Sequence, residues 1–215
     1  MTLRVVILGA GGHAQVVADI LLRAHDQGSS AVPIGYIDDN SALAGQMRLG
    51  LPVFGTTAAL PGVPHEAVVV AIGDNAIRRR VFESLLAQGE QFVTACHPRA
   101  TVAPDVRLGA GCMVCAGAVV NPGSSIGAGV ILNTGCTVDH HNQIGNHVHV
   151  APGAHLGGEV IIEEGALIGI GATVMPRRRV GAWSVVGAAA LVHRDVPGGV
   201  TALGVPARFR RPPTN

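Results

Sequence analysis

Residues 131–158 read ILNTGCTVDHHNQIGNHVHVAPGAHLGG, and an aliphatic residue returns in this stretch at every sixth position. The series extends in both directions without an insertion, from Val102 to Val192, so that sixteen positions six residues apart are all aliphatic. A period of six matches neither the α-helix, with about 3.6 residues per turn, nor the strand, with about two. It matches a chain that turns a corner after every short strand. It therefore predicts a solenoid of parallel strands, with about 18 residues in each three-sided coil and roughly five coils in total.

The first hundred residues have a different pattern. LRVVILGAGGHAQVVADILL (residues 3–22) is an apolar strand, a glycine turn and an amphipathic helix, and VPIGYIDDN (residues 32–40) is a second strand. AVVVAIGDNAIRRRVFESLLAQG repeats strand and helix, and FVTACHP is a final strand that leads into the solenoid. Alternating strands and helices favour a parallel α/β sheet. We therefore predict a Rossmann-like domain over residues 1–98, followed by the solenoid domain with a C-terminal tail over residues 99–215.

Composition excludes several functional classes. The net charge is +1, which provides no basic surface for nucleic acid, and all fifteen basic residues are arginine, which excludes lysine Schiff-base chemistry and a Walker-type phosphate lysine. Four cysteines and no secretory leader predict a reducing cytoplasm. Cys112 and Cys115 form a CxxC without a partner pair, so we expect them to be small buried residues. Glycines, Asn121 and Pro122 interrupt the uncharged residues 108–138, so we expect no membrane insertion.

The glycine turn GAGGHA, Gly9 to Ala14, satisfies the pattern G-x-G-x-x-G/A between a strand and a helix. This context favours a phosphate or nucleotide at the helix N-terminus. A complete dinucleotide-binding domain has two mononucleotide-binding halves, and the first hundred residues supply only about one. This favours a nucleotide-linked substrate over a hydride cofactor. A purely structural turn is the alternative. Asp38 and Asp39 end the second strand, where they would accept hydrogen bonds from sugar or base hydroxyls. A solvated turn is their alternative interpretation.

Five of the ten histidines lie in the quoted stretch. One coil of 18 residues places Gly158 above His140, where a backbone N–H would lie beside a potential base. The same spacing places Glu159 above His141. A metal site needs three converging ligands, and no two histidines of the solenoid are 18 or 36 residues apart. We expect His147 and His155 to be exposed corner residues.

The sixfold repeat resembles the hexapeptide-repeat, left-handed β-helix superfamily, whose members are largely acyltransferases that work as trimers. The quoted stretch together with GAGGH, YIDD, AIGDN and the trailing GVPAR resembles one branch of it. That branch comprises the bacterial nucleotide-sugar N-acetyltransferases of the bacillosamine and perosamine pathways and the sialic acid O-acetyltransferase-like proteins. The resemblance implies that the α/β domain holds a nucleotide-sugar and that acetyl-CoA lies between adjacent β-helices of a cytoplasmic homotrimer.

The resemblance also implies roles for individual residues. His140 matches the general base, and Gly158 matches the backbone amide of an oxyanion hole. His141 stands where the family usually has an acidic residue that raises the basicity of the imidazole, and Asp139 or Glu159 would have to substitute. The sugar-nucleotide positions are Gly11, Gly12, His13, Asp38, Asp39 and Gly73. The acetyl-CoA positions are His149, Ile170, Ala188 and Arg208.

We therefore expect acetyl transfer from acetyl-CoA to the 4-amino group of a nucleotide-linked 4-amino-4,6-dideoxyhexose, in O-antigen or glycan biosynthesis, by direct attack and with no metal. An acyl-enzyme on Cys136 is disfavoured, because this residue falls in an inward slot of the repeat. Arginines are candidates for the CoA phosphates, namely Arg177, Arg178, Arg179, Arg208, Arg210 and Arg211. Arg178 also falls in an inward slot, so its hexad is predicted to bulge outward.

Three alternatives stay open at this point. The first is O-acetylation of a sialic acid-type sugar, which needs the same base and the same donor. The second is a metal-dependent hydratase on the same fold, and the third is a non-catalytic scaffold in which the solenoid only trimerises. The sequence leaves the nucleotide base and the sugar stereochemistry undetermined.

Overall fold

The structure, a computed structural model, describes residues 2–210 and begins with a five-stranded sheet flanked by helices. The sheet has the order β3-β4-β2-β1-β5 and is parallel except for the β3–β4 pair. Its elements are β1 (Leu3–Leu8), α1 (Gly12–Asp26), β2 (Ala31–Ile37), β3 (Met47–Arg48), β4 (Leu51–Gly55), β5 (Ala67–Val70) and α2 (Asn75–Ala87), with 3-10 helices at Ser41–Leu43 and Thr57–Gly62.

The sequence accounts for these elements directly. The last four residues of β1 are all buried, as in a parallel strand covered on both faces. Helix α1 buries Ala14, Val17, Ala18 and Leu21, which share one face at spacings of three and four. None of the described helices is long and apolar enough to cross a membrane.

The rest of the described chain is a three-sided parallel β-helix of two-residue strands, which ends in two three-residue strands, Thr201–Leu203 and Arg208–Arg210, that pair antiparallel. Face I contains β6 (Ala95–Cys96), β9 (Met113–Val114), β12 (Ile131–Leu132), β15 (His149–Val150), β18 (Leu167–Ile168), β21 (Val185–Val186), β23 (Thr201–Leu203) and β24 (Arg208–Arg210). Face II contains β7 (Thr101–Val102), β10 (Val119–Val120), β13 (Thr137–Val138), β16 (His155–Leu156), β19 (Thr173–Val174) and β22 (Leu191–Val192). Face III contains β8 (Arg107–Leu108), β11 (Ser125–Ile126), β14 (Gln143–Ile144), β17 (Ile161–Ile162) and β20 (Arg179–Val180).

The predicted sixfold series forms the core of this β-helix. From Val114 to Val192 each aliphatic position of the series is at most 4% exposed. Neighbouring strands on a face pair in register with an offset of one coil, as His149 does with Ile131 below it and Leu167 above it. The structure therefore confirms the coil of three hexads.

One corner position in each hexad has a left-handed backbone. Glycine fills most of these positions, but six other residues also adopt φ values between 54° and 59°. They are His141, His147, Glu159, Arg177, Trp183 and Ala189. A side chain in this conformation costs about 1–2 kcal/mol. Two of the clustered histidines thus occupy corners where glycine would be less strained.

The two parts of the chain share a buried interface. Outward-facing Met113, Cys115 and Ile131 of face I pack into the same core as the helix α1 side of the sheet. Phe92 bridges to Val68 of β5, and β6 begins at Ala95, before the predicted boundary at residue 98. The division into residues 1–98 and 99–215 stays a prediction.

Candidate active site

The predicted sugar-nucleotide residues follow the carboxyl ends of β1, β2 and β5, which lie side by side. Gly11 is the N-cap of α1, and Gly11 and Gly12 are exposed. The Ala10 N–H donates to Asp38 Oδ2 at 2.7 Å. The Asp39 carboxylate accepts from the N–H and the hydroxyl of Thr57, each at 2.9 Å. Asp38 also accepts from the Asn40 N–H through Oδ1 at 2.9 Å. The predicted residues together form one edge, which we call the sugar edge.

Face I adjoins the sugar edge at His149. The rings of His13 and His149 have centroids 6.3 Å apart, and the Asn133 side-chain amide lies 3.1 Å from His149 Nε2. Burial, reinforced by the charge of Arg78, lowers the pKa of both histidines to about 4. Both imidazoles are therefore neutral at physiological pH, and an amide donor to Nε2 places the proton of His149 on Nδ1.

A groove of about 550 Å³ runs along this face. Its lining is mostly apolar and combines the turn after β5 with outward side chains of face I: Gly73, Asp74, Asn75, Ala76, His149, Ala151, Pro152, Gly165, Leu167, Gly169, Ile170, Trp183 and Val185. Ile170 is 62% exposed. An apolar groove with a few polar groups at one end suits a long, flexible ligand with a polar head.

His140 lies at the corner between faces II and III. Its Nδ1 is 3.1 Å from Nδ1 of His141, so one imidazole donates a proton and the other accepts it. A Cβ on Gly158 would lie 2.5 Å from His140 Cε1 and Nε2, which shows that the ring rests directly on the glycine. The Gly158 N–H has no hydrogen-bond acceptor among residues 2–210. The predicted base and the predicted oxyanion donor are therefore adjacent.

Neither candidate carboxylate replaces the acidic neighbour of the base. Asp139 Oδ1 accepts from the His140 backbone N–H at 2.8 Å and from the Asn121 amide at 3.0 Å, which lowers the pKa of Asp139. In the described chain neither Asp139 nor Glu159 hydrogen-bonds to an imidazole of the pair. Buried Asn142 donates to the Asp139 carbonyl at 2.5 Å and to the Gly157 carbonyl at 2.9 Å, so it links this corner to the next coil.

The structure does not bring all the predicted residues together within one chain. The sugar edge and His149 meet at face I. His140 and Gly158 lie at the corner between faces II and III, which is the corner opposite face I. One copy of the chain therefore presents the two halves of the predicted site on different sides.

The remaining predicted acetyl-CoA residues lie near the groove or beyond it. Ala188 is exposed one coil above Ile170, outside the groove lining. Arg208 is exposed, and it lies opposite Leu203 in the antiparallel strand pair β23–β24 at the end of the β-helix. The Arg178 side chain turns to Asp195 at 3.7 Å, but the predicted outward bulge of its hexad is wrong, because β20 keeps the regular register with β17. Arg179 pairs with Glu163. Arg211 lies outside the described residues.

The prediction that His147 is an exposed corner residue is wrong. His147 is 5% exposed because α2 covers its corner, and Phe82 packs edge-on against its ring with centroids 5.2 Å apart. Burial lowers the pKa of His147 to about 4. His155, for which the same prediction was made, is exposed. The hexad repeat indicates which positions are corners but not which corner another domain covers.

Sequence reasoning missed two residues of this region. Arg78 of α2 is completely buried, and Trp183 lines the groove with the Arg79 guanidinium 5.4 Å from its ring centroid. Arg78 shares a helix face with Phe82 and Leu85 at spacings of four and three. An arginine at position 78 on the otherwise apolar face of this helix could have indicated a buried charged residue.

Cys112, Cys115 and Cys136 are buried and are poor nucleophiles. Burial raises the pKa of the Cys136 thiol to about 12 and of Cys112 and Cys115 to about 11, so none supplies a thiolate at neutral pH. Residues 2–210 contain no group of three His, Cys, Asp or Glu side chains with the geometry to hold a metal ion.

Comparisons with known proteins place this geometry in context. Residues 4–85 match the PglD N-terminal domain family. The chain is 34% identical to GDP-perosamine N-acetyltransferase of Escherichia coli O157:H7 over 97% of each protein. PerB from Caulobacter crescentus, solved in complex with CoA and GDP-perosamine, has 40% identity and a TM-score of 0.88 over 96% of each chain. The acetyltransferase domain of PglB from Neisseria gonorrhoeae, in complex with acetyl coenzyme A, has 36% identity and a TM-score of 0.88 over 98% of this chain and 100% of that one. These likenesses confirm the α/β domain followed by a left-handed β-helix.

Proposed function

The chain belongs to the family of perosamine- and bacillosamine-type nucleotide-sugar N-acetyltransferases, and from that premise we propose a specific substrate and site for it. The enzyme transfers an acetyl group from acetyl-CoA to the amino group of a nucleotide-linked amino sugar. The proposed acceptor is the 4-amino group of a 4-amino-4,6-dideoxyhexose. GDP is the first nucleotide to test, because two relatives that match almost the whole chain are named for GDP-perosamine.

His140 is the proposed general base. If His140 donates its Nδ1 proton to Nδ1 of His141 across 3.1 Å, its Nε2 keeps a free lone pair. Nε2 then removes a proton as the amine nitrogen attacks the thioester carbonyl. A neutral imidazole is a weaker acceptor than a carboxylate, so His141 orients the base without the charge that an acidic residue would add.

Gly158 is the proposed oxyanion donor. Attack on the thioester moves negative charge to the carbonyl oxygen, and a free backbone N–H at that point stabilises the tetrahedral intermediate. The collapse of that intermediate expels the CoA thiolate, which takes up a proton, and leaves the acetamido sugar. The single observation that carries the assignment is the His140 ring lying on Gly158, whose N–H has no acceptor in the described chain.

The proposed site is completed between copies of the chain. The sugar edge and the groove along face I belong to one copy, and His140 with Gly158 belongs to a neighbouring copy. A ring of three copies would place the face II–III corner of each β-helix beside face I of the next. We further propose a cytoplasmic location, which is supported by four free cysteines.

The proposed acceptor is tested by thiol release from acetyl-CoA with GDP-, UDP- and dTDP-linked 4-amino-4,6-dideoxyhexoses. Free and CMP-linked sialic acid are included in the same panel. We expect rapid turnover of one amino sugar and none of the sialic acids. Turnover of a sialic acid alone would replace the proposal by O-acetylation, and CoA binding without any turnover would favour a non-catalytic role.

The proposed arrangement of His140 and Gly158 is tested by Gly158→Ala. The added methyl would lie 2.5 Å from the His140 ring and would displace it, so we expect kcat to fall by about 10²-fold, the scale of a lost catalytic base. Gly62→Ala is the matched control, because nothing lies within 4 Å of a Cβ there. Wild-type kcat in Gly158→Ala would contradict the arrangement.

A further inference from the structure

The buried guanidinium of Arg78 connects the sugar edge to the β-helix. Arg78 lies in the first turn of α2, where its backbone N–H donates to the Asp74 carbonyl at 2.8 Å. Its side chain is 0% exposed, and its hydrogen-bond acceptors are all uncharged. Burial lowers the pKa of Arg78 only to about 10, so the group stays cationic at neutral pH. A buried charge is costly unless every donor is satisfied, which raises the question of what this one does.

The donors of Arg78 divide between the two parts of the protein. Nη1 donates to the carbonyls of Ile72 and Gly73 at 3.0 and 3.2 Å, in the turn that follows β5. Nε donates to the Gly129 carbonyl at 2.8 Å, and Nη2 donates to the His147 carbonyl at 2.6 Å. One guanidinium thus ties the turn of the sugar edge to two coils of the β-helix.

Asn75 extends the same contact by one coil. Its Oδ1 accepts from Arg78 Nη2 at 2.8 Å, and its Nδ2 donates to the carbonyls of Gly165 and Ala166 at 3.0 and 3.1 Å. Gly129, His147 and Gly165 are 18 residues apart and occupy the same left-handed corner of three successive coils. Their carbonyls accept no backbone hydrogen bond in the described chain. The Asn75–Arg78 pair therefore matches the repeat distance of the β-helix.

We propose that Arg78, together with Asn75, is a positioning residue that fixes the height of the sugar edge along the β-helix. The pair holds the Gly73 turn level with the coil that carries His149, so that the nucleotide-linked sugar and the acyl donor meet at one height along the groove. Apolar packing of face I against the α/β domain would tolerate small displacements along the β-helix. Directional hydrogen bonds to three carbonyls one coil apart do not tolerate them, and the packing of Phe82 on His147 distinguishes this coil from its neighbours. This inference rests on the proposed function, because it names what orients the acceptor.

The test compares Arg78→Met, Arg78→Lys and Arg80→Met in the full-length chain. Arg80 lies two residues after Arg78 in α2 and is exposed, so Arg80→Met is the matched control for removing an arginine from this helix. In Arg78→Met we expect the KM for the amino sugar to rise about tenfold while the KM for acetyl-CoA changes less than about twofold. Arg78→Lys keeps the charge and three donors and is expected to recover part of the loss. Arg80→Met is expected to behave as wild type.

Two outcomes would overturn the inference. An unchanged KM for the amino sugar in Arg78→Met would show that the contact does not position the edge. An equal loss towards both substrates, without recovery by lysine, would show a merely structural role. If Arg78→Met fails to fold, Asn75→Ala decides by the KM for the amino sugar alone, because Asn75 also lines the groove. This variant removes the third-coil contact and leaves Arg78 in place, and an unchanged KM for the amino sugar would overturn the inference.

Hydrogen exchange separates this inference from the proposed function. The wild type, Arg78→Met and Arg80→Met are compared without any substrate, by the exchange rates of backbone amides in residues 72–76 and in the β-helix. We expect faster exchange at residues 72–76 in Arg78→Met and unchanged exchange in the β-helix core. If the wild type acetylates no amino sugar, the proposed function fails while this measurement still reports on Arg78. Equal exchange rates in all three proteins would reject the positioning role.

Discussion

The His140 ring is fixed by its immediate neighbours rather than by a carboxylate. Gly158 supplies a flat surface without a Cβ under the ring, and His141 contacts Nδ1 at 3.1 Å. The backbone N–H of His140 is bound by Asp139 at 2.8 Å. These contacts leave Nε2 free. At residue 141 the proposed base is therefore supported by a second imidazole, where the family pattern has an acidic side chain.

The contribution of His141 is tested by His141→Asp and His141→Glu. A carboxylate next to His140 would stabilise the protonated imidazole, so the base would become protonated at a higher pH. We expect the acid limb of the kcat/KM profile to move up by about one pH unit, the usual scale for one neighbouring charge. Glu159 has the same left-handed backbone, which shows that an acidic side chain is tolerated at such a corner. An acid limb at the same pH in both variants would show that residue 141 does not act through the base.

Helix α2 does more for the fold than cover one side of a sheet. Its inward face combines Phe82 and Leu85 with Arg78, and Phe82 stacks on Phe92 with ring centroids 3.9 Å apart. The helix thereby buries His147 at a corner that would otherwise be solvated. Because α2 covers this corner, the His147 imidazole is held in its neutral form.

The burial of His147 makes stability depend on pH. Its pKa is lowered from an ordinary value near 6.5 to about 4 by burial and by Arg78 and Arg79, with Glu83 opposing. Between these two pH values the unfolded chain binds a proton that the folded chain does not. The free energy of unfolding should therefore fall as the pH is lowered from about 6.5 to about 4, by up to about 1.4 kcal/mol per pH unit for one such group. His13 and His149, whose pKa values are lowered to the same level, add to this slope.

Urea unfolding at several pH values between 7.5 and 4.5 measures this slope. His147→Asn removes the titrating group while it suits the left-handed corner, so we expect a shallower slope than in the wild type. His155→Asn is the control, because His155 is exposed. The same slope in the wild type and in His147→Asn would show that burial of this histidine does not govern acid stability.

At the scale of the whole molecule, the two halves of the proposed site face away from each other. The sugar edge is fixed against face I, and the His140 corner lies opposite. Ile170 and Leu203, at 62% and 41% exposed, and the groove along face I are apolar surface left open in one copy. A closed ring of copies would cover such surface and would repeat the site at each contact.

Complementation between two inactive variants tests this assembly. His140→Ala removes the base, and Gly12→Asp puts a negative charge at the N-terminus of α1, where it suits the helix but repels a phosphate. Each variant alone should be inactive. In mixed oligomers formed from equal amounts, about a quarter of the sites would combine an intact base with an intact sugar edge from different chains. Thiol release near that level is expected, whereas inactive mixed oligomers would place the whole site within one chain.

Much of the local structure follows from the sequence by itself, because it depends on short-range periodicity. The aliphatic series fixes the inward side of each strand, and the offset of one coil brings Gly158 to His140. The glycine turn and the two aspartates lie at the ends of neighbouring parallel strands, so their proximity also follows from local pattern. None of these conclusions needs knowledge of how one domain packs on the other.

The tertiary structure alone decided what lies between the two domains. The burial of His147, the five satisfied donors of Arg78 and the groove beside Trp183 all arise where α2 meets a corner of the β-helix. The repeat makes the three corners nearly equivalent in sequence, and only the packing of the α/β domain distinguishes them. The opposition of His140 to the sugar edge has the same origin, because it depends on which of the three faces the first domain covers.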